Sequence, residues 1–258
     1  MPRCSAGATY NRLVNARFYA PGSARGRTVA LPADEAQHLS RVLRLKAGAP
    51  VVVFDGRGRE FDAVVEKAGK SEVLVSVGSS RVVVEREPAV SLTLVQAVLK
   101  ADKMDDVVRD AVMMGVAAIQ PMVTARTEVT MAALERGRRR ERWQRVAISS
   151  AKQCGRAVVP QIIEPVAFDE LVEPRSIGTA FTFVEPAAAW NAKSLTAYER
   201  TTAAEAALFI GPEGGWTPEE IERAAAITHL VTLGRLTFRA DVMAVVALSA
   251  VLTLWREF

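Results

Sequence analysis

The sequence predicts two domains of different type, a small β-barrel over residues 17–86 followed by an α/β domain over residues 87–258. Short strands separated by turns fill the first part, whereas apolar strands alternate with amphipathic helices in the second. The charged, proline-containing stretch Glu85-Arg86-Glu87-Pro88 is typical of a linker between them. Residues 1–16 are expected to be an N-terminal extension, because they lack the apolar segment of a signal peptide.

Short strands with turns between them predict the barrel. Val51–Phe54, the turn Asp55-Gly56-Arg57-Gly58 and the alternating segment Glu60–Glu66 together predict a hairpin. Further strands are expected at Glu72–Val77 and Arg81–Val84. Several short strands at this spacing favour a small barrel over a layered sheet.

One helix is expected to interrupt these strands, at Asp34–Leu45. The apolar residues predicted on one face of it are Ala36, Leu39, Val42 and Leu43. His38 lies on this helix, where a packing or capping role fits better than that of a catalytic base.

The second domain alternates strands with helices, which predicts a parallel sheet covered by helices. The expected strands are Val90–Val95, Val116–Met122, Ala180–Val184, Ala207–Ile210 and Leu230–Leu233, and the expected helices are Asp102–Met114, Glu141–Lys152 and Asp241–Trp255. The last helix is apolar nearly all round, so it is buried in the domain or against another chain. Its apolar stretch, Val242–Leu254, is too short to span a bilayer, and we expect no membrane partner.

Composition excludes several classes of function. Only two cysteines, Cys4 and Cys154, and two histidines, His38 and His229, are present. The sequence therefore has too few cysteines and histidines for a structural zinc site, a disulfide framework or a His-centred catalytic triad. We expect no bound metal, and a protein that works in the reducing cytoplasm. The net charge is +4, but the N-terminal 86 residues carry +6 and the remainder −2. This asymmetry fits either a polyanionic partner or plain solvation.

The most informative segment is Ile210-Gly211-Pro212-Glu213-Gly214-Gly215, which directly continues the strand Ala207–Ile210. A helix starts at once, since Thr217 is typical of an N-cap, Pro218 of a first turn, and Glu220 completes a capping box. Three glycines let a backbone approach a ligand closely, and ligands of open parallel sheets bind at the carboxyl ends of strands. Taken alone, the loop indicates either a ligand site or an ordinary turn. It is neither a Rossmann fingerprint nor a P-loop.

This loop is similar to the Gly-Pro-Glu-Gly-Gly motif of the SPOUT methyltransferases, specifically of the 16S ribosomal RNA uridine-N3 methyltransferase family. The resemblance covers roughly residues 17–254, in the order of the family's motifs. Matching stretches of the second domain are Lys100-Ala101-Asp102-Lys103-Met104, Gly115-Val116, Arg142-Trp143-Gln144-Arg145, Gln153-Cys154-Gly155-Arg156, Pro160, Leu233-Gly234 and Phe238-Arg239-Ala240-Asp241. Those of the first domain are Arg17-Phe18-Tyr19, His38-Leu39, Val42-Leu43-Arg44 and Phe54-Asp55-Gly56.

The sequence departs from the family pattern in a few positions. The closing motif has Ala240, Asp241 and Val242 where Thr, Glu and Thr are usual, and Met113 and Lys152 replace glutamates. The lost hydroxyls remove hydrogen bonds from the segment that closes over the loop.

The resemblance implies a C-terminal SPOUT domain of α/β class, with a parallel sheet and a deep trefoil knot, preceded by a small PUA-like RNA-binding β-barrel. It also implies that S-adenosyl-L-methionine binds in the knotted pocket, which is lined mostly by backbone. The implied cofactor-binding residues are Val184, Glu185, Pro186, Ile210, Gly211, Glu213, Gly215, Leu233, Gly234, Phe238 and Ala244.

Methyl transfer to uracil N3 is an in-line displacement, so its catalysis is mainly a matter of positioning. The N3 proton must be removed or shared, which a general base or a cation that stabilises the uridylate can promote. Arg239 is the first candidate for the cation and Asp241 for the base or orienting group, with Glu213 a weaker candidate. The alternative is that Arg239 and Asp241 only pin the loop through a salt bridge.

Basic side chains of both domains are the candidates for RNA contacts. They are Arg17, Arg41, Arg44, Arg57 and Arg59 of the first domain and Arg126, Arg142 and Arg156 of the second. Trp216 either stacks on RNA or packs against the following helix, and packing is favoured. The resemblance further implies a homodimer formed through the C-terminal helix, in which the partner completes the RNA site.

We therefore expect a cytoplasmic enzyme that methylates N3 of a uridine in 16S ribosomal RNA, with the RNA or the small ribosomal subunit as its partner. Two alternatives stay open. One is a SPOUT enzyme that methylates another RNA position, such as a ribose 2′-oxygen. The other is a non-catalytic RNA-binding homologue, which the departures at Lys152, Ala240 and Val242 motivate.

Overall fold

In a computed structural model of the chain, residues 16–69, 72–83, 87–172, 178–186, 191–198 and 204–257 are described. The chain divides into two compact units, residues 1–84 and residues 85–258. Three sequence predictions fall partly outside the described residues: the N-terminal extension apart from Ala16, the end of the strand expected to reach Val84, and Glu85-Arg86 of the linker.

The first unit contains a five-stranded sheet in the order β1-β3-β4-β5-β2. The strands are β1 Arg17–Tyr19, β2 Thr28–Ala30, β3 Pro50–Phe54, β4 Glu60–Ala68 and β5 Val73–Ser80. The predicted hairpin is confirmed, because β3 pairs antiparallel with β4. The sheet encloses one hydrophobic core, in which Phe18, Leu39 and Val53 are fully buried.

Two details of the first unit differ from the sequence predictions. Residues 81–83 form no strand, since β5 continues to Ser80 before the chain leaves the sheet. The helix is shorter than predicted: α1 Ala33–Gln37 passes into a π-helical turn, His38–Val42, which the Leu43 N–H closes by donating to the His38 carbonyl at 3.0 Å.

That wider turn rotates the following side chains away from the core, because a π-turn holds an extra residue. Leu39 is buried as predicted. Val42 and Leu43, expected on one face with Leu39, are 65% and 41% exposed, so that expectation was wrong.

The second unit is built on an eight-stranded sheet in which every pairing is parallel. The strand order is β11-β13-β10-β12-β6-β7-β8, and β9 also pairs with β7. The strands are β6 Ser91–Ala97, β7 Ala118–Val123, β8 Gln161–Ile162, β9 Val166–Ala167, β10 Thr179–Phe183, β11 Lys193–Ser194, β12 Glu205–Ile210 and β13 His229–Thr232. The helices are α2 Lys103–Met113, α3 Met131–Arg136, α4 Arg139–Cys154, α5 Phe168–Leu171, α6 Pro218–Ala225 and α7 Ala240–Leu254.

Amphipathic and apolar helices cover this sheet as predicted. Helix α2 buries Met104, Val107, Val108, Ala111 and Val112. Helix α7 joins the same core through Ala244, Ala247, Leu248, Val251 and Leu252. The short elements α3, α5, β8, β9 and β11 were not predicted, since segments of two to six residues carry no clear periodicity.

None of the helices in the described part of the chain combines the length and apolarity that crossing a membrane requires. Within the same residues, no group of three or more His, Cys, Asp or Glu side chains is placed to hold a metal ion.

Candidate functional site

Three strands of the parallel sheet end side by side. The register pairs Phe183 at the end of β10 with Ile210 at the end of β12, and also with Val231 of β13. The segments that follow these strands therefore leave the sheet at one edge. Carboxyl ends of parallel strands are where open sheets place their ligand sites.

The glycine loop after β12 leads into α6 through the predicted capping box. The Thr217 hydroxyl accepts from the Glu220 N–H at 3.2 Å, and the Glu220 carboxylate accepts from the Thr217 N–H at 2.9 Å. Gly215 has a φ of +69°, which an L side chain rarely adopts. A Cβ there would also lie 3.3 Å from Glu185 Oε1. The loop conformation thus requires glycine at this position.

Trp216 closes the floor of this loop. It is 8% exposed, its indole N–H donates to the Phe183 carbonyl at 2.9 Å, and its ring lies 5.4 Å from that of Phe168. The packing interpretation is therefore the one observed, and stacking on RNA is not available to a buried ring. A Cβ on Gly211 would lie only 2.9 Å from the indole, so Gly211 and Trp216 fit each other without spare room.

A cavity of about 400 Å³ opens at this edge of the sheet. Nine of the residues expected to bind cofactor line it: Val184, Glu185, Pro186, Ile210, Gly211, Glu213, Gly215, Leu233 and Phe238. Gly234 is outside the lining, and Ala244 is fully buried in the core, where it contacts neighbouring side chains instead. For Ala244, direct lining of the cavity was wrong, because this residue is fully buried in the hydrophobic core of the unit.

The sequence reasoning missed other lining residues, among them Lys103, Phe183, Trp216, Leu236 and Thr237. Lys103 belongs to α2, which is far from the glycine loop in sequence, so no local sequence pattern predicts that the two are close in space. Leu236 is 74% exposed and Phe238 is 38% exposed, so two apolar side chains of one cavity-lining segment are open to solvent.

Arg239 and Asp241 form a two-point ion pair where α7 begins. The Arg239 Nε donates to Asp241 Oδ1 at 3.2 Å, and Nη2 donates to Oδ2 at 2.8 Å. Arg239 lines the cavity and its side chain is 69% exposed. Asp241 does not line the cavity, and it holds the guanidinium from one side. The two hydrogen bonds therefore orient the Arg239 guanidinium where it lines the cavity.

Charged groups also gather around Glu213, which lines the cavity together with Lys103. Glu213 Oε1 accepts from Lys103 Nζ at 3.1 Å and from the Lys100 N–H at 3.4 Å. Lys100 Nζ forms an ion pair with Glu128. That hydrogen bond from Lys100 to Glu128 raises the pKa of the lysine. Glu213 and Asp241, the two carboxylates considered as proton acceptors, are thus each engaged by a neighbouring cation, Lys103 and Arg239 respectively.

The arginines of the first unit differ in how far they are available to RNA. Arg17 stacks 3.8 Å above the Phe54 ring and donates to Glu60 Oε1 at 2.7 Å, so its side chain is only 16% exposed. Arg41, Arg44 and Arg57 are exposed. Those three keep the accessibility that a phosphate contact needs.

The three arginines of the second unit each have a protein partner. Arg142 donates to Asp105 Oδ2 at 2.8 Å and to Asp102 Oδ1 at 2.6 Å, and these hydrogen bonds, the one to Asp102 foremost, raise its pKa. Arg126 Nη1 donates to the carbonyls of Gly214 and Trp216. Both of these side chains still reach the surface.

For Arg156, a role in RNA binding was wrong. Its side chain is 4% exposed and donates to the Val112 and Val116 carbonyls at 2.7 and 3.0 Å. It also pairs with Glu87 at 2.5 Å. The guanidinium joins the end of α2 to the start of this unit, and it cannot reach a phosphate without breaking those contacts.

Replacing Arg156 with alanine should lower the free energy of unfolding by about 3 kcal/mol, because two buried carbonyls and a carboxylate lose their donor. Chemical denaturation of the purified protein measures this. Arg145→Ala is the matched control, since Arg145 is exposed and, within the part of the chain that the structure describes, donates to the Glu141 carbonyl of its own helix. An Arg156→Ala protein as stable as this control would contradict the anchoring role.

Comparison with known proteins places the chain in a class. A family model described as an RNA methyltransferase domain matches residues 85–252, and one described as an RNA methyltransferase PUA domain matches residues 31–78. The fold and the cavity at the strand ends thus belong to an RNA methyltransferase with a PUA domain. The predicted fold class is confirmed, while the knot within it stays a prediction.

Individual relatives narrow this class. The ribosomal RNA small subunit methyltransferase E of Synechocystis sp. is 31% identical, over 87% of this chain and 72% of the relative. The crystal structure of the Neisseria gonorrhoeae protein of the same name, bound to S-adenosyl methionine, has a TM-score of 0.83 and 29% identity, over 93% of this chain and 98% of that chain. A Legionella pneumophila methyltransferase in complex with the same cofactor has a TM-score of 0.83 and 30% identity, over 93% and 97%. The chain belongs to the ribosomal RNA small subunit methyltransferase E family.

Proposed function

We propose that this protein transfers the methyl group of S-adenosyl-L-methionine to N3 of a uridine in 16S ribosomal RNA. The observation that carries the proposal is the cavity at the ends of β10, β12 and β13, with the glycine loop as one wall. Two relatives with this fold have been crystallised with the cofactor.

The residues present fit such a cofactor. Gly211 and Gly215 leave the backbone bare where side chains would collide, which suits a ligand held by main-chain groups. Leu233, Leu236 and Phe238 offer an apolar wall to an adenine ring. Glu185 and Glu213 also line the cavity, and a ligand that carries a sulfonium and an ammonium group is complemented by carboxylates. The cofactor set proposed from the sequence also includes Gly234, the neighbour of the lining residue Leu233.

In the reaction, the bound cofactor supplies a methyl group on a positively charged sulfur. A bond forms between uracil N3 and the methyl carbon while the carbon–sulfur bond breaks and its electron pair stays on sulfur. The N3 proton leaves to a base. Asp241 was the candidate for the base or the orienting group, and its position outside the cavity lining, with both oxygens bonded to Arg239, favours the orienting role. Arg239, held in place by the two hydrogen bonds to Asp241, stabilises the negative charge on the uridylate.

The two domains divide the work in this proposal. The PUA-like domain, residues 17–86, binds the RNA through the exposed Arg41, Arg44 and Arg57. Arg17 is a further candidate contact, although its guanidinium is engaged by Phe54 and Glu60. The SPOUT domain, residues 87–258, performs the transfer. A uridine within folded RNA must turn its base outward to reach the cavity. The partner is 16S ribosomal RNA or the small ribosomal subunit, in the cytoplasm.

We further propose a homodimer formed through α7. This helix is apolar on all sides, yet Val242 is 45% exposed, and Met113 of the neighbouring α2 is 41% exposed. Packing this exposed apolar surface against a second copy of the chain would remove it from water, which favours association. Light scattering should give twice the mass of one chain.

The function is tested by incubating purified protein and labelled cofactor with small ribosomal subunits that lack the modification, and in parallel with free 16S ribosomal RNA. Nuclease digestion followed by mass spectrometry should detect one N3-methyluridine per subunit. Methylation of a ribose oxygen or of another base would contradict the target atom. Binding of RNA without cofactor binding, measured by calorimetry, would instead support a non-catalytic homologue.

A further inference from the structure

The corner that follows β7, residues 124–127, is hydrogen-bonded to the glycine loop and does not itself line the cavity. Arg126 Nη1 donates to the carbonyl of Gly214 at 3.0 Å and to that of Trp216 at 3.1 Å. The Ala125 N–H donates to Glu220 Oε1 at 2.8 Å. Glu220 belongs to the capping box of α6, so the corner contacts both the loop and the helix that the loop enters.

The corner itself is held rigidly. The Thr127 hydroxyl accepts from the Thr124 N–H at 3.0 Å and lies 2.9 Å from the Thr124 hydroxyl. Packing against the loop is equally close, because a Cβ on Gly214 would lie 3.1 Å from Arg126 Cβ. Arg126 therefore joins a fixed support to a loop that has few side chains of its own to hold its shape.

Two carbonyls that point toward Arg126 fix the orientation of the intervening peptide groups. Gly215 lies between them, in the left-handed region, and its own N–H donates to the Pro212 carbonyl at 3.0 Å. We infer that Arg126 is a positioning residue that holds the glycine loop in its cofactor-binding conformation, rather than a contact for RNA. This inference rests on the proposed function for the identity of the cofactor, but not for the conformation of the loop.

The test compares Arg126→Ala, Arg126→Lys and the control Arg145→Ala, each as the full chain. Removing the guanidinium should raise the Kd and the KM for S-adenosyl-L-methionine about tenfold, the equivalent of about 1.4 kcal/mol. The kcat at saturating cofactor should stay within about twofold of wild type, since the reacting groups are untouched. Lysine, which keeps the charge but has a single donor nitrogen, should restore part of the affinity.

A second measurement does not depend on the cofactor. Hydrogen exchange of the peptide that spans residues 211–217, recorded without ligand, should be faster in Arg126→Ala than in wild type and unchanged in Arg145→Ala. If the wild type binds no S-adenosyl-L-methionine, the proposed function fails, and this exchange measurement still decides the role of Arg126. If the alanine variant does not fold, the cofactor Kd and the hydrogen exchange of the loop are measured on the lysine variant instead.

Two outcomes would overturn the inference. One is unchanged loop exchange together with an unchanged Kd for the cofactor in Arg126→Ala. The other is a weaker affinity for RNA, with a shallower salt dependence and an unaltered cofactor Kd, which would make Arg126 a phosphate contact.

Discussion

Replacing Gly211 with valine should raise the Kd for S-adenosyl-L-methionine about 100-fold or more, which corresponds to about 3 kcal/mol. The reason is steric. A Cβ at this position would lie 2.9 Å from Cε2 and Nε1 of Trp216, and an indole ring is too rigid to yield by bending.

Relief of that collision must move Trp216, and Trp216 is tied to a second wall of the cavity. Its N–H donates to the Phe183 carbonyl at 2.9 Å, and Phe168 packs against its ring. Displacing the ring breaks the hydrogen bond and shifts the end of β10 relative to the loop. The free energy of unfolding should fall by about 1–3 kcal/mol, as expected for an overpacked site.

Gly178→Val is the matched control. Among the described residues, a Cβ at Gly178 meets no atom within 4 Å, and its φ is not in the left-handed region, so this variant adds the same side chain without a collision there. Calorimetric titration measures the Kd of both variants. A Gly211→Val protein that binds the cofactor as tightly as Gly178→Val would remove the loop from the binding site.

Arg239→Ala should keep cofactor binding within about twofold and lose methyl transfer by about 100- to 1000-fold, the size expected for one preorganised charge donor. Arg239 lies at the cavity wall with a mostly exposed side chain, so its loss leaves the loop and the apolar wall intact. Single-turnover kinetics and calorimetry separate the two effects. Arg235→Ala is the control, because Arg235 is an exposed arginine of the same segment that does not line the cavity.

The alternative role, a salt bridge that pins the segment, gives a different pattern. In that case Arg239→Ala and Asp241→Asn should impair the enzyme equally, the double variant should be no worse, and cofactor affinity should fall in all three. If Arg239 stabilises the uridylate, the arginine variant should be the more severe and cofactor affinity should persist. Wild-type turnover in Arg239→Ala would exclude both roles.

The altered closing motif limits what the sequence alone could say about this region. The sequence offered Arg239 and Asp241 either as catalytic groups or as an ion pair, and their distances show that they do form the pair. Forming the pair does not exclude catalysis, since Arg239 also reaches the cavity. Val242 stands where the family pattern has threonine. It is 45% exposed and does not line the cavity, so the absence of that hydroxyl leaves the cavity lining unchanged.

By itself, the sequence determined the order of the main strands and helices, the parallel sheet and the loop Ile210–Gly215, because these depend on local periodicity, caps and glycines. The tertiary structure alone decided which distant side chains meet. It brought Lys103 to Glu213 and Arg126 to the glycine loop, and it buried Arg156 beneath Glu87. The sequence does not distinguish an arginine that is solvated from one that is paired or buried. Only the packing of elements far apart in the chain fixes its partners, and for that reason the loop could be found from sequence while its supports could not.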